Sequence, residues 1–320
     1  MHRFLIPIAV VALLFINQGA QAQVFPNKPI RLIAPFSPGG ALDLIARGIG
    51  QKVSEGVRQP VIVENRAGAS GAIGSEAVAR SAPDGYTLLL GATTTHGINP
   101  ALNPKLPYHP VKDFTPISLV ATIPHVLVVN PSVPANSLQE FVLLARSRPG
   151  MAFGSAGNGS PHHLAGEMLK MMARIDVVHV PYKGSGPAMT DVISGQLQFM
   201  SVELTAAEPH LKAGKLRALA IATAKRVPEV DLPTFAELGY PEFEVTAWYA
   251  IFGPAGMPDE LVSRLSAEIV KALATPDLRD RLQKVGATPV GSSTAELAAH
   301  VRAELARWTQ VVKAAGITAE

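Results

Sequence analysis

Three segments of this 320-residue chain place backbone donors, not reactive side chains, where chemistry could happen. In each, a strand-like run passes into a glycine-rich turn that opens a helix: Phe36-Ser37-Pro38-Gly39-Gly40 before Ala41, Gly154-Ser155-Ala156-Gly157-Asn158-Gly159-Ser160 before Pro161, and Lys183-Gly184-Ser185-Gly186-Pro187. The first turn of a helix has N–H groups without intrahelical partners, and glycine lets a ligand approach them. Such ends attract anions by roughly 0.3–1 kcal/mol each, up to about 2 when partly buried. Two or three of them facing one cleft could hold a carboxylate at micromolar affinity, about −8 kcal/mol. Any single turn of this kind is as readily plain turn chemistry, so the weight lies in the repetition.

Other chemistries lack residues. None of the three turns ends in Gly-Lys-Ser/Thr, and no G-x-G-x-x-G fingerprint is present, which argues against nucleotide binding. Ser160 stands beside His162 and His163, but no Gly-x-Ser-x-Gly elbow occurs. His163 and Glu167 are four apart on a helix and supply only two potential ligands, while His96, His125 and His179 come from separate segments without a recurring spacing. No metal, cofactor or catalytic residue is therefore expected.

The elements that must position these turns follow from periodicity. Apolar runs at Ile30–Pro35, Val61–Glu64 and Tyr86–Leu90 read as strands, and Leu42, Ile45, Ala46 and Ile49 share one helical face with Asp43 and Arg47 paired on another. A second α/β unit begins near His125–Val129 and continues through Met151–Phe153, Val177–Tyr182 and Leu216–Ala222. The chain crosses back at Val245–Pro254. Pro258-Asp259 opens a further helix, and Ser293 with Glu296 has capping-box spacing ahead of a stripe of Leu297, Val301, Leu305 and Trp308. Alternating strands and helices build sheets covered on both faces, and two crossings imply two hinge strands.

At the amino terminus, Met1-His2-Arg3, the apolar run Phe4–Ile16 and Ala20-Gln21-Ala22 have the layout of a secretory signal peptide (1–22), with cleavage expected before Gln23. The run is shorter than the roughly 20 residues a membrane span needs. There is no cysteine, so stability in an oxidising compartment must come from packing, and thiol chemistry is excluded. The formal net charge of +3 is not concentrated in any stretch, and nucleic acid is not an expected partner.

Many short segments, in order, resemble one family. They run from Phe25-Pro26 through Ser37-Pro38-Gly39-Gly40-Ala41-Leu42-Asp43, Glu64-Asn65-Arg66-Ala67-Gly68-Ala69-Ser70-Gly71 and Ala82-Pro83-Asp84-Gly85-Tyr86-Thr87-Leu88 to Lys112-Asp113-Phe114-Thr115-Pro116. His163-Leu164-Ala165-Gly166-Glu167, Pro181-Tyr182-Lys183-Gly184, Lys215-Leu216-Arg217-Ala218-Leu219-Ala220, Leu232-Pro233-Thr234 and Glu237-Leu238-Gly239 follow. Together they cover nearly all of the mature chain and resemble the solute receptors of tripartite tricarboxylate transporters, often called Bug proteins.

The resemblance implies a two-lobed α/β periplasmic binding protein of type II, a Venus flytrap with two hinge-crossing strands. Lobe one would comprise 23–124 plus 247–320 and lobe two 125–246. It implies a monomeric periplasmic receptor that is not an enzyme and that delivers a small carboxylate to integral-membrane permease subunits. Residues carried over as ligand contacts are Phe36, Ser37, Gly39, Gly40 and Asp43 in lobe one and Gly157, Asn158, Gly159, Ser160 and His163 in lobe two, chiefly through main-chain N–H groups and ordered water. Thr93, Thr94 and His96, and Tyr182, Lys183 and Gly184, are expected as secondary contacts. The chain departs from the family pattern at His109, at Ala67, and at Ser201-Val202, where a Phe-Asp pair is usual and Glu203 follows. Loss of that acid argues for a plain or more apolar ligand. An extracytoplasmic sensor with the same fold, or a serine hydrolase using Ser160, remain alternatives at this point.

Overall fold

The computed structural model describes residues 25–227, 230–284 and 286–317; the expected signal peptide and its cleavage point lie outside them. The chain opens with β1 (Ile30–Ala34), α1 (Ala41–Val57), β2 (Val61–Asn65), α2 (Ala72–Ala79), β3 (Thr87–Ala92) and α3 (Asn99–Leu102). A long strand β4 (Phe114–Val129) leads to α4 (Leu138–Ser147), β5 (Met151–Ser155), α5 (Pro161–Ala173), β6 (Val177–Pro181), α6 (Ser185–Ile193), β7 (Phe199–Glu203), α7 (Leu204–Lys212) and β8 (Arg217–Ile221). The return strand β9 (Thr246–Pro254) is followed by α8 (Asp259–Leu273), α9 (Pro276–Lys284), β10 (Thr288–Pro289) and α10 (Thr294–Ala315). Among the described residues no helix is long and apolar enough to cross a membrane.

The strands run β2-β1-β3-β9-β4-β7-β5-β6, and β4 is the element common to both ends of this path. Its first part pairs antiparallel with β9, ending at Pro124↔Thr246. From His125 onward the same strand pairs with β7 and β8 instead. The changeover is bonded: His125 N–H donates to Val245 O at 3.1 Å and Val245 N–H to Ala222 O at 3.0 Å. Parallel pairs β1·β2, β1·β3 and β5·β6 supply the α/β character of the two lobes, each with its own apolar core.

The helical face expected on α1 is enclosed: Leu42, Ile45, Ala46 and Ile49 are buried in the first core. Both halves of the capping box at Ser293 and Glu296 are formed. Three stretches of strand were not foreseen, the shortest being β10. Residues 114–124 contain Pro116 and Pro124, which break strand patterning, and the structure accommodates Pro116 by a register shift before Ser118. β7 was hidden because its Phe199, Met200 and Val202 are buried but Ser201 and Glu203 interrupt the apolar run.

Helix α10 belongs to neither lobe alone. Leu297 and Val301 pack with Trp248 and Phe252, whereas Trp308, Val311 and Val312 pack with Leu164, Phe153 and other residues of the second core. The expected stripe is interrupted by Glu304, which is buried and accepts from the indole N–H of Trp248 at 2.8 Å and of Trp308 at 3.0 Å.

Candidate functional site

A cavity of about 540 Å³ opens between the lobes. Phe36, Ser70, Ala72, Ile73 and Thr94 line it from the first lobe, and Ala156, Asn158, Gly159, Ser160 and Pro161 from the second. The first and second glycine-rich turns thus border one space, through Phe36 on one side and Asn158–Ser160 on the other. Ser37, Gly39 and Gly40 are exposed and are not among its lining residues.

The first turn is held by a side-chain network. Asp43, buried at the third position of α1, accepts from Gly39 N–H at 3.0 Å and from Arg47 Nε at 3.0 Å, and Asn65 Nδ2 donates to its other oxygen at 2.9 Å. Asn65 also donates to Phe36 O at 3.1 Å, fixing the residue that reaches the cavity. The Arg47 hydrogen bond leads in holding the Asp43 carboxyl down to about 2, helped by Gly39 and Asn65, while burial opposes it. With both oxygens engaged, Asp43 is an organiser of the turn.

The second turn is built the same way. Gly157 N–H donates to Ser155 Oγ at 3.0 Å, Ser160 N–H to Gly157 O at 3.2 Å, and Gly159 N–H to Nδ1 of His163 at 3.1 Å. Ser160 is the N-cap of α5; its hydroxyl accepts from His163 N–H at 3.3 Å and donates to Gly157 O at 2.7 Å. Gly39, Gly157, Gly159 and Ser160, expected as main-chain contacts of a ligand, thus each donate to an acceptor in their own turn or in the helix it opens. A hydroxyl capping a helix is likewise not paired with an imidazole base, so Ser160 lacks the activation a nucleophile requires.

His163 stacks on His179, with ring centroids 3.7 Å apart, and burial lowers the pKa of both, His179 to about 4. Its expected companion Glu167 instead faces Lys170, at 3.9 Å. Thr94 lines the cavity, but Thr93 is buried at the return strand, accepting from Trp248 N–H at 2.8 Å. His96 is corrected as a contact: it is fully buried, stacked on Phe252 at 4.0 Å, and burial lowers its pKa to about 3. The third turn adjoins the second, since Tyr182 N–H donates to Ser155 O at 3.1 Å. Tyr182, Lys183 and Gly184 are nevertheless absent from the cavity lining, and Tyr182 hydroxyl bonds to Asp191.

Residues that sequence reasoning passed over complete the site. The turn Gly68-Ala69-Ser70-Gly71 after β2 holds four consecutive positive φ angles, a costly backbone arrangement, and Asn99 Nδ2 anchors it by donating to Ser70 O at 2.8 Å. Gly71 is the N-cap of α2, with no side-chain cap, and a Cβ there would lie 2.7 Å from Thr95 Cγ2 and 3.0 Å from Phe36 Cζ. The start of α2 consequently opens on the cavity from one lobe as the start of α5 does from the other. The signal was in the sequence, a strand running through glycines into a helix, as at the three turns singled out.

The structure also assembles His125, His162 and Glu203, whose donor atoms lie within 4.8 Å of one another. His162 Nε2 is 3.0 Å and His125 Nε2 3.8 Å from the carboxylate. Burial pushes the Glu203 carboxyl up, but the charge and hydrogen bond of His162 outweigh it and leave the pKa below the usual carboxylate range.

Comparison with known proteins agrees with this architecture. Residues 45–317 match the model of the tripartite tricarboxylate transporter family receptor. The protein BugT of Bordetella pertussis is 36% identical over 316 residues, 97% of each chain. Among solved structures, R. palustris Rpa4515 with adipate is 37% identical, with a TM-score of 0.79 over 92% of this chain and 99% of that one. MatC of Rhodopseudomonas palustris, with bound malate, is also 37% identical, with a TM-score of 0.75 over 90% of this chain and 100% of the other. The fold is thus that of a two-lobed periplasmic binding protein, the relatives are solute receptors and not catalysts, and the chain belongs to the tripartite tricarboxylate transporter receptor family.

Proposed function

We propose that this protein is exported to the periplasm, loses its signal peptide before Gln23, and works as a monomeric receptor that binds a small organic carboxylate between its lobes and delivers it to the membrane subunits of a tripartite transporter. The lobes in this reading are 23–124 with 247–320, and 125–246. The observation that carries it is the pair of helix starts, α2 and α5, that border one interlobe cavity. Their dipoles favour an anion. The hydroxyls of Ser70, Thr94 and Ser160 and the Asn158 turn supply polar contacts, while Phe36, Ile73, Leu102 and Leu106 suit an apolar body between or beside the charged groups. Relatives solved with adipate and malate support the same ligand class.

Function then requires only a population shift: an acid that touches both lobes binds the closed form better than the open one and draws the equilibrium toward it. Calorimetric titration with a panel of mono-, di- and tricarboxylates, run alongside solution scattering, tests this. One-site saturable binding with a fall in radius of gyration is expected. Binding without compaction would remove the closure mechanism, and no binding by any organic acid, including acids recovered from the purified protein by mass spectrometry, would remove the function.

A further inference from the structure

We propose that His125, His162 and Glu203 form a binding site for a divalent transition-metal ion, with Zn²⁺ the representative probe. The three residues come from different elements and meet where the chain first enters the second lobe. His125 and Glu203 are directly opposite each other on β4 and β7, and His162 is the second residue of α5. Two imidazoles and one carboxylate are the borderline donor set that zinc and its neighbours prefer over calcium or magnesium, and a tetrahedron completed by three protein donors keeps one position for water or another oxygen ligand.

Donors bound to zinc at about 2.0–2.1 Å in a tetrahedron stand about 3.3 Å apart; His162 Nε2 is 3.0 Å from Oε2 of Glu203 and His125 Nε2 is 3.8 Å from its Oε1, with all three donors within 4.8 Å of one another, so a small contraction of the cluster closes it on an ion. Nε2 of His125 is wholly buried and has no hydrogen-bond partner, an arrangement that costs free energy unless something occupies its lone pair. Its other nitrogen lies 3.3 Å from Ser201 Oγ; a proton donated there leaves Nε2 unprotonated and facing the carboxylate, which a cation between them makes favourable. Glu203, with its side chain 24% exposed, provides the way in from solvent.

The test uses tag-free mature protein stripped with EDTA and dialysed, titrated with Zn²⁺ by calorimetry and with Co²⁺ by visible absorption. One ion per chain at micromolar affinity or tighter is expected, with Co²⁺ bands of low-coordinate nitrogen and oxygen ligation. The affinity should fall at least tenfold in His125→Asn and in Glu203→Gln and stay unchanged in His109→Ala, a histidine on the exposed surface. Absence of one-to-one saturation, survival of binding in both cluster variants, or its loss in His109→Ala overturns the proposal. Should a cluster variant fail to fold in thermal unfolding controls, the wild-type Co²⁺ spectrum decides: featureless hexa-aquo absorption refutes the site.

Discussion

The amide of Gly159 donates to Nδ1 of His163 at 3.1 Å, and the other lobe repeats the arrangement with Gly39 donating to Asp43 at 3.0 Å. In each case the donor precedes the helix N-cap and the acceptor is the third helical residue. A polar side chain at the helix start is thereby used on its own turn. Holding a loop in its bound shape before the ligand arrives lowers the ordering cost of binding. His163→Ala should reduce affinity for the best-bound acid by about tenfold, about 1.4 kcal/mol, as measured by calorimetry. A change below twofold would show that the clamp does not prepare the site.

Asp43 gives a pH signature. Its folded-state pKa of about 2 lies below the unfolded value of 3.8, so its contribution is complete above about pH 4 and is lost as pH falls through 2. Asp43→Asn should lower stability at pH 6 by about 1–3 kcal/mol, and the gap from the wild type should close on acidification to pH 2. Denaturant unfolding at stepped pH measures it, and a gap independent of pH would contradict the assignment.

Gly159 closely approaches Leu102 across the cavity. Its φ is +69°, and a Cβ would fall 2.4 Å from Leu102 Cδ1 of the opposite lobe. Gly159→Ala should cost about 1–2 kcal/mol from the left-handed backbone alone, and should also weaken acid binding by propping the lobes apart. Adding Leu102→Ala should recover the binding loss but not the stability loss. A double-mutant cycle separates the two, and failure to recover any affinity would place the effect in the backbone only.

Glu304 is the buried acceptor for two indoles, Trp248 on the return strand and Trp308 on the last helix. Glu304→Ala leaves both donors buried without a partner and should destabilise by about 2–4 kcal/mol, read as a Tm fall of several degrees. Glu304→Gln keeps an acceptor and should recover more than half of that loss.

Local relationships were legible in the sequence and distant ones were not. The Asp43–Arg47 spacing and the Ser293–Glu296 box both follow from neighbours a few residues apart. Asn65 acts on Asp43 from 22 positions away and on Phe36 from 29, and no periodicity announces that. The glycine pattern found three turns but could not tell which of their amides are consumed locally, and it passed over the start of α2, whose Gly71 amide is likewise bonded to Gly68 O at 3.0 Å. His125, His162 and Glu203 are too scattered to read as a spacing. Glu304 sits among apolar stripe residues, and only the two indoles brought to it by folding explain a carboxylate there.

The span of α10 across both cores sets a limit on how this molecule can move. Strands β4 and β9 alone would form a two-stranded pivot with wide freedom, but a 22-residue rod rooted in both halves acts as a third mooring. The closure proposed above would then turn about an axis near that rod, or slide its final turns over α5. Substitutions in the tail of the chain, remote from any bound acid, would on that reading act as a trim weight on the resting angle between the halves.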